Sequence, residues 1–284
     1  MVRRRDAHPM FVWLQALMLR PIFSRARGIL DPSIRPFACP AVVVVPLLCL
    51  ASTEGQAADA FDVTYQQTEF HVLRLAQGEE QDLRFFWRRA DGSAYGGIPA
   101  LRRELADHGE TLRFAVNGGI YARDLTPLGL YVEDGRKLAP LQQGQGGGNF
   151  FLKPNGVFYV SDRGAGVVAT DDWPPPGNVR NAVQSGPMLV IDGRLHPRFI
   201  PDYHSRYIRN GVGVDEQGRV VFAISASPVN FHDFGTLFRD RLDCPNALYL
   251  DGKISQMHLP ELGRRVFWSF QPLVSIIALT SPSR

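Results

Sequence analysis

Cysteine is scarce in this chain: three in 284 residues, at positions 39, 49 and 244. The first two fall in an N-terminal stretch that reads as removable. Cys244 would then be alone, which excludes an internal disulfide framework. Set before Pro245 at the start of an apolar run, it reads as a small buried hydrophobe. Long apolar runs are missing too. The strongest, within residues 38–52, has an apolar core of about a dozen residues, short of the ~20 a spanning helix needs. No charge sign dominates the body. Residues 1–60 hold seven Arg against four acidic residues, which leaves 24 basic and 24 acidic residues in 61–284. Without a basic excess, nucleic acid is excluded as a partner. There is no Gly-x-Ser-x-Gly elbow and no His-x-x-x-His pair, so a serine nucleophile has little support and no metal is expected, although His204, His232 and His258 lie in or near segments that break the strand pattern. No fixed repeat period appears, which argues against a solenoid or propeller. At 45% hydrophobic and 21% charged residues, the chain has the composition of a folded domain.

What is present first is a targeting pattern. Arg-rich sequence precedes "ACPAVVVVPLLCLAS" (38–52), and small residues follow at Ala57, Ala58 and Ala60. The order is that of a signal peptide with cleavage between 57 and 60. The basic region is long for this reading, which would suit a start at Met18. The competing readings are an uncleaved anchor, or lipid attachment at Cys49, where Leu48 occupies a position that wants a small residue. Residues 1–60 are therefore expected to be a targeting segment and 61–284 one domain, periplasmic or secreted, with no stable membrane insertion after processing.

Beyond residue 60 the pattern is one of hairpins. "FHVLRLA" (70–76) and "LRFFWR" (83–88) read as an opening antiparallel pair. "LGLYVEDGRKL" (128–138), "NFFLKPNGVFYVSD" (149–162), "PMLVIDGRLHP" (187–197) and "GVGVDEQGRVVFAIS" (211–225) each read as a hairpin, with turns at Asp134-Gly135, Pro154-Asn155-Gly156, Asp192-Gly193 and Gln217-Gly218. Two helices are predicted. One spans 99–109, with Pro99 in its first turn and Gly109 as its stop. The other spans 231–242, with Phe234, Leu237, Phe238 and Leu242 as its apolar stripe. The expected fold is a single α+β domain: a mixed or antiparallel, hairpin-rich sheet with a few flanking helices.

Four places interrupt strands with residues able to do chemistry. Asn117-Gly118-Gly119 ends an apolar strand, where glycines permit positive φ or close backbone approach. Gln184-Ser185-Gly186-Pro187 breaks another, and such polar residues commonly satisfy local backbone groups. Arg206 and Arg209 precede "GVGV", and a guanidinium fork suits phosphate or carboxylate. Asp251 follows the apolar run 247–250; Asp-Gly at that point is either a hairpin turn or a site carboxylate.

The order of these segments carries more information than any one of them. "VNGGIY", "QSGPMLVIDG", Arg209 before "GVGV", the Gly-Thr helix "FGTLFRDRL" and "NALYLDG" form a series that resembles the phosphodiester glycosidase family over about residues 112–260. The resemblance implies a hydrolase that cleaves the sugar–phosphate bond of a glycosyl 1-phosphodiester in envelope or extracellular glycans. It implies Asp251 and Arg209 as catalytic residues, with Asn117, Gly118, Gly119, Ser185, Gly186 and Lys253 around the substrate, and no cofactor. Lys253 stands where the family often has a second glycine. Arg209, with Lys253 and backbone N–H groups of Gly118 or Gly119, would hold the phosphate, while Asp251 would meet the positive charge growing on the sugar. A second carboxylate is sought at Asp233 or Glu133. The partner implied is a sugar phosphodiester or phosphate-containing glycan, and the rival reading is a non-catalytic glycan-binding protein of the same fold.

Overall fold

The computed structural model describes residues 58–252, 254–263 and 272–283. In chain order, β1 (Asp59–Tyr65) turns into β2 (Thr68–Arg74), and β3 (Leu83–Phe86) leads to helix α1 (Ile98–Asp107) and β4 (Glu110–Asn117). Then come the hairpins β5 (Tyr131–Glu133)/β6 (Arg136–Ala139) and β7 (Gly156–Ser161)/β8 (Gly164–Ala169), followed by the single strand β9 (Val179–Ser185). Next are β10 (Met188–Ile191)/β11 (Arg194–Leu195) and β12 (Asn210–Val214)/β13 (Val220–Ser225). Helix α2 (Phe231–Asp240), β14 (Asn246–Asp251), β15 (Met257–His258) and β16 (Ile276–Pro282) complete the series. They form three sheets, ordered β1-β2-β13-β12-β14-β10-β11, β15-β4-β16-β3 and β6-β5-β9-β7-β8. This is the expected α+β, hairpin-rich domain with two helices.

The sheets share one core because their strands alternate side chains with a period of two. In β13, Val220, Phe222 and Ile224 face the common core, while Val221 and Ala223 face α2. Phe222 lies 4.8 Å from Phe114 of the four-stranded sheet and 5.9 Å from Phe158 of the five-stranded one, ring centre to ring centre. Strands buried on both faces read as continuous apolar runs, which is how β13 and β14 look in sequence. In β14, Leu248 and Leu250 point into the common core, and Ala247 and Tyr249 point to the α2 side. The same alternation sends Asp251 out on the Tyr249 side, where the site lies.

Each helix covers an outer face. Helix α1 sets Ile98, Leu101 and Leu105 against Phe86, Leu112 and Ala115, and its chain exits through Gly109 at φ +73°. Helix α2 begins at the buried cap Asn230, whose side chain accepts a hydrogen bond from the Asp233 N–H at 2.8 Å. Its Phe234, Leu237 and Phe238 are fully buried, so truncating either Phe to Ala would cost about 3–5 kcal/mol. The helix comes close to the sheet because β12 offers Gly211 and Gly213. A Cβ on Gly213 would lie 3.0 Å from the Phe238 ring and 2.8 Å from Cys244 Sγ. Cys244 is buried as a small apolar residue, and burial pushes its thiol pKa up.

Three sequence expectations are corrected. Strands β2 and β3 do not pair: β2 lies between β1 and β13, and β3 pairs with β16. The true partner, β1, was hidden because its turn residues Gln66 and Gln67 take positive φ (46° and 63°) without the Asn-Gly signature that usually marks such a turn. Residues 149–151 form a short 3-10 turn, not a strand, and β7 turns back into β8 at Asp162-Arg163. Finally, Asp251-Gly252 is not a hairpin turn. Asp134-Gly135 and Asp192-Gly193 turn with positive φ at both positions, but Asp251 and Gly252 do not. Strand β14 ends there, and the chain crosses to β15, which pairs with β4 in the four-stranded sheet.

Candidate active site

That crossing point opens a cleft of about 510 Å³, within the range of small-molecule sites. Asp251 and Gly252 form part of its wall. Opposite stand Tyr121 from the segment after β4, Gly148 and Asn149 from the glycine-rich loop, and Ser205 and Tyr207 from the loop before β12. Tyr249 contributes from beneath. Burial pushes the Tyr249 hydroxyl pKa well above its ordinary value; Arg209's charge opposes the rise and Asp251's charge adds to it. The phenol therefore stays protonated at neutral pH and remains a hydrogen-bond donor. Tyr121 is raised as well, first by burial and then by Asp251. Gly252 is dictated by packing, because a Cβ there would collide with the Tyr249 hydroxyl oxygen.

Beneath Tyr249 and Gly252 lies Arg209, with no solvent exposure. Its backbone N–H donates to Ser225 Oγ (3.0 Å), its Nε to the Val229 carbonyl (2.8 Å) and its Nη2 to the Ser205 carbonyl (2.9 Å). The guanidinium carbon sits 3.7 Å from the Phe231 ring centre, 5.4 Å from that of Tyr249 and 5.5 Å from that of Tyr207. Burial pushes its pKa down, yet a guanidinium remains charged. The groups acting on it electrostatically are Tyr249 and Tyr207, not a carboxylate. Among the described residues Nη1 makes no well-formed hydrogen bond, although the Tyr249 hydroxyl acts on the guanidinium as a hydrogen-bonding neighbour, and Nη1 lies 3.6 Å from where a Gly252 Cβ would be. The free bidentate fork expected from sequence is therefore not present. Two of the three nitrogens are committed to carbonyls, and what remains is a buried positive charge under the cleft with the Tyr249 hydroxyl beside it.

Asn210, the next residue, organises the rim, and sequence reasoning missed it. Its Nδ2 donates to Asn117 Oδ1 (3.1 Å), and its Oδ1 accepts from the Asp251 N–H (3.1 Å) and Ser255 Oγ (3.2 Å). Asn117 Oδ1 also accepts from the Gln256 N–H at 2.8 Å. Asn117 is thus consumed in a buried network that ties β4, β12 and β14 together, and it does not line the cleft. Nothing in the pattern "RNGVGV" separates such an asparagine from a strand-edge turn former; only the tertiary pairing does.

The remaining predicted residues are framework. Gly118 and Gly119 have no positive φ; they serve close approach instead. A Cβ on Gly118 would strike Ser275 Oγ, and one on Gly119 would come within 2.7 Å of the Gln184 carbonyl oxygen. The Gly118 N–H already donates to the Ser275 carbonyl at 2.9 Å, so it is not open to a phosphate. Ser185 Oγ donates to the Leu250 carbonyl at 2.7 Å, clamping β9 to β14 just before Asp251. Gly186 packs against Asn155 and the Phe150 carbonyl. Lys253 lies outside the described residues, as does the targeting segment up to residue 57. Of the proposed second carboxylates, Glu133 accepts from the Trp87 N–H on another sheet, and Asp233 pairs with His232 (3.2 Å) and Arg206 (3.5 Å). Neither lines the cleft. His204 and His232 share a neighbouring cleft, while His258 is on β15. A different trio, Asp62, Glu69 and His71 on the β1–β2 hairpin, brings ligand-type atoms within 4.8 Å of one another.

Comparison with known proteins agrees with the series read from sequence. The profile of the phosphodiester glycosidase family matches residues 110–263. The chain is 35% identical over 239 residues to the uncharacterized protein YigE of Escherichia coli (strain K12), covering 84% of this chain and 90% of that one. Zebrafish N-acetylglucosamine-1-phosphodiester alpha-N-acetylglucosaminidase, solved as a catalytic domain auto-inhibited by its pro-peptide, aligns with TM-score 0.52 and 14% identity, over 78% of this chain and 81% of that one. A hypothetical protein from Synechocystis aligns with TM-score 0.47 and 15% identity, over 78% of this chain and 61% of that one. At 14% identity the zebrafish match is a likeness of fold.

Proposed function

The chain belongs to the phosphodiester glycosidase family, and from that membership we propose that it is an exported hydrolase cleaving the sugar–phosphate bond of a glycosyl 1-phosphodiester in envelope or extracellular glycans. The observation that carries this reading is Arg209. A buried guanidinium with no carboxylate partner among the described residues is costly to keep. An anion held above the Tyr249–Gly252 floor would compensate it. The phosphate of a diester is such an anion, and it is already a weakly basic leaving group.

In this reading the sugar occupies the 510 Å³ cleft with its anomeric carbon toward Asp251. As the C1–O bond breaks, the electron pair passes to the phosphate oxygen, and Arg209's charge together with the Tyr249 hydroxyl stabilises it. Asp251 faces the oxocarbenium-like carbon, and water supplies the oxygen that becomes bonded to C1, its spare proton passing to the released phosphate monoester. Asn210 and Asn117 act as positioning residues, because Asn210 fixes the Asp251 backbone at 3.1 Å. Export is supported by the targeting pattern of residues 1–60; no helix among the described residues is long and apolar enough to cross a membrane.

The test is turnover of a synthetic hexose 1-phosphodiester in isotopically labelled water. Label should enter the sugar and not the phosphate. Asp251→Asn should lower kcat/KM by about 100-fold or more with little change in melting. The Gly252 N–H accepted by Asp251 Oδ1 can equally be accepted by an amide oxygen, and no positive-φ turn is at stake. Binding of the diester without turnover by the wild-type protein would leave the glycan-binding reading in its place.

A further inference from the structure

Four planar groups stand in file behind the cleft. The Arg209 guanidinium faces the Phe231 ring at 3.7 Å. Phe231 stacks on Phe199, 5.1 Å from centre to centre and 7° from parallel. Phe199 stacks in turn on His196, at 4.6 Å and 23°. His196, just after β11, closes the file and is 1% exposed. Helix α2 makes room for the file at Gly235, where a Cβ would lie 2.5 Å from the Leu195 side chain and 3.5 Å from the Phe199 ring. A leucine or a third phenylalanine would end such a stack without burying a polar ring, so the imidazole needs a reason of its own.

The loop that His196 begins is held at both ends. Residues 196–209 contain no strand or helix. At the near end, His196 Nδ1 accepts from the Arg198 N–H (3.2 Å) and the His196 carbonyl accepts from the Phe199 N–H (3.0 Å). This turn seats Phe199 in the file. At the far end, the Ser205 carbonyl accepts from Arg209 Nη2 (2.9 Å), and Tyr207 exchanges two backbone hydrogen bonds with Val229. The Val229 carbonyl also accepts from Arg209 Nε. An imidazole that accepts at Nδ1 carries its proton, when neutral, at Nε2. A second proton could enter only at Nδ1, where it would face the Arg198 N–H, donor against donor.

We infer that His196 is a positioning residue for Arg209 and that its neutral form holds the site: protonation at Nδ1 breaks the turn at 196–199, draws Phe199 out of the file and loosens the loop that grips the guanidinium. The inference rests on the anion role given to Arg209 above. The surroundings of the ring favour the neutral form. Burial lowers its pKa from 6.5, and the charge of Arg198 acts in the same direction, against the Lys153 and Leu152 backbone beside the ring. Lys153 itself turns its Nζ away to the Gln143 carbonyl (2.8 Å). Strand β10 presents a backbone carbonyl, that of Leu189, which accepts the His196 N–H. On the first turn of α2, His232 and Asp233 bond each other, and Asp233 also pairs with Arg206. Among the described residues no carboxylate acts on the ring to hold a second proton there. With the folded value below the unfolded one, the grip is present above about pH 6.5 and is lost as pH falls toward the depressed value.

The experiment follows kcat/KM for a hexose 1-phosphodiester from about pH 5 to about pH 8 on the processed protein and on His196→Asn and His196→Ala. A diester keeps one charge over this range, whereas a monoester would add its own ionisation near about pH 6. Asparagine keeps an acceptor for the Arg198 N–H, as such side chains do in turns, but does not titrate. The wild type should lose activity in acid, and His196→Asn should stay within about threefold of it at neutral pH and lack that part of the fall. His196→Ala, with no acceptor, should run about tenfold low at every pH, as loss of one hydrogen bond implies. Nitrogen NMR of the imidazole should find the neutral proton on Nε2; a proton on Nδ1 would overturn the inference. So would identical acid limbs in the wild type and a folded His196→Asn, and that result would leave the hydrolase reading untouched. A lower melting temperature in His196→Ala with unchanged kcat/KM would make the residue one of packing alone and also overturn it. If His196→Ala does not fold, the asparagine variant decides. If no diester is cleaved, calorimetric binding of the same diester makes the same comparison. An acid loss of binding that His196→Asn lacks keeps the inference while the hydrolase reading falls, and absence of binding at every pH ends both.

Discussion

Replacing Arg209 with methionine separates a residue kept for stability from one kept for function. The guanidinium donates two charge-assisted hydrogen bonds to carbonyls, each contributing about 1.5–3 kcal/mol. Its stacking at 3.7 Å on Phe231 adds about 2 kcal/mol for a desolvated contact. Against this stands the cost of removing a guanidinium from water, several kcal/mol even after relaxation. The two sides offset. Among the described residues no carboxylate would be stranded by the change, so the penalty for breaking a buried ion pair does not apply. Arg209→Met should therefore move stability by no more than about 2 kcal/mol, a shift below about 8 °C for a domain of this size. Activity on a hexose 1-phosphodiester should nonetheless fall about 10²–10³-fold, as expected when a preorganised charge is removed. A hexose 1-phosphate at about 100 times its Kd should stabilise the wild type by about 2.7 kcal/mol and leave the variant unmoved. Scanning calorimetry with and without that ligand, beside steady-state kinetics, measures all three quantities. A folded variant with wild-type kcat/KM and an intact ligand response would refute the anion role. A drop in melting temperature of about 15 °C or more would make Arg209 a structural element instead.

Gly252→Ala should destabilise by about 1–3 kcal/mol, as overpacking does, because the new Cβ meets the Tyr249 hydroxyl while that ring is held edge-on against Phe231 at 4.8 Å; activity falls with it, and an unchanged melting point would show that the floor yields. His258 is buried on β15, and burial, with Arg102's charge second, lowers its pKa from 6.5. The unfolded chain then binds the proton more readily, so this contribution to stability is present above about pH 6.5 and is lost as pH falls toward the depressed value; His258→Gln should flatten that part of the melting profile, and an unaltered slope would assign the acid sensitivity elsewhere. Processing should leave β1 whole, since the strand begins at Asp59 and Ala58 and Ala60 pack on the core; N-terminal sequencing of exported protein should find a start no later than Asp59.

Sequence was informative wherever a local rule has only one tertiary outcome. Asp134-Gly135 and Asp192-Gly193 are turns because a hairpin of that length demands positive φ at both positions. Helix α2 was readable because one stripe, Phe234-Leu237-Phe238, has only one way to be buried. Asp251-Gly252 shows where the same rule fails: an identical dipeptide serves as a strand end when the following segment is drawn to another sheet. The pairing of β2 with β1 was missed because Gln-Gln occupies a turn that normally advertises itself. At the site, Asp251 and Arg209 stand out in an ordered series; Asp251 lines the cleft and Arg209 lies buried beneath it. Asn210, Tyr249, Ser205 and Phe231 do not stand out, because their roles arise from which strands become neighbours. Asn117, Ser185 and the glycines at 118, 119 and 186 support the cleft from behind, so they mark the place without lining it.

The seam that carries the site also sets when the cleft can first form. Asn210 joins Asn117 across 93 residues, Ser185 reaches Leu250 across 65, and Gln256 closes on Asn117 across 139. Strand β16, which holds β4 and therefore Asn117 in place, comes last in chain order among the described residues. A fragment that ends before β16 lacks the strand that holds Asn117, and with it the network that sets the Asp251 backbone. The cleft is therefore a late product of folding, formed only when strands far apart in sequence have all been placed.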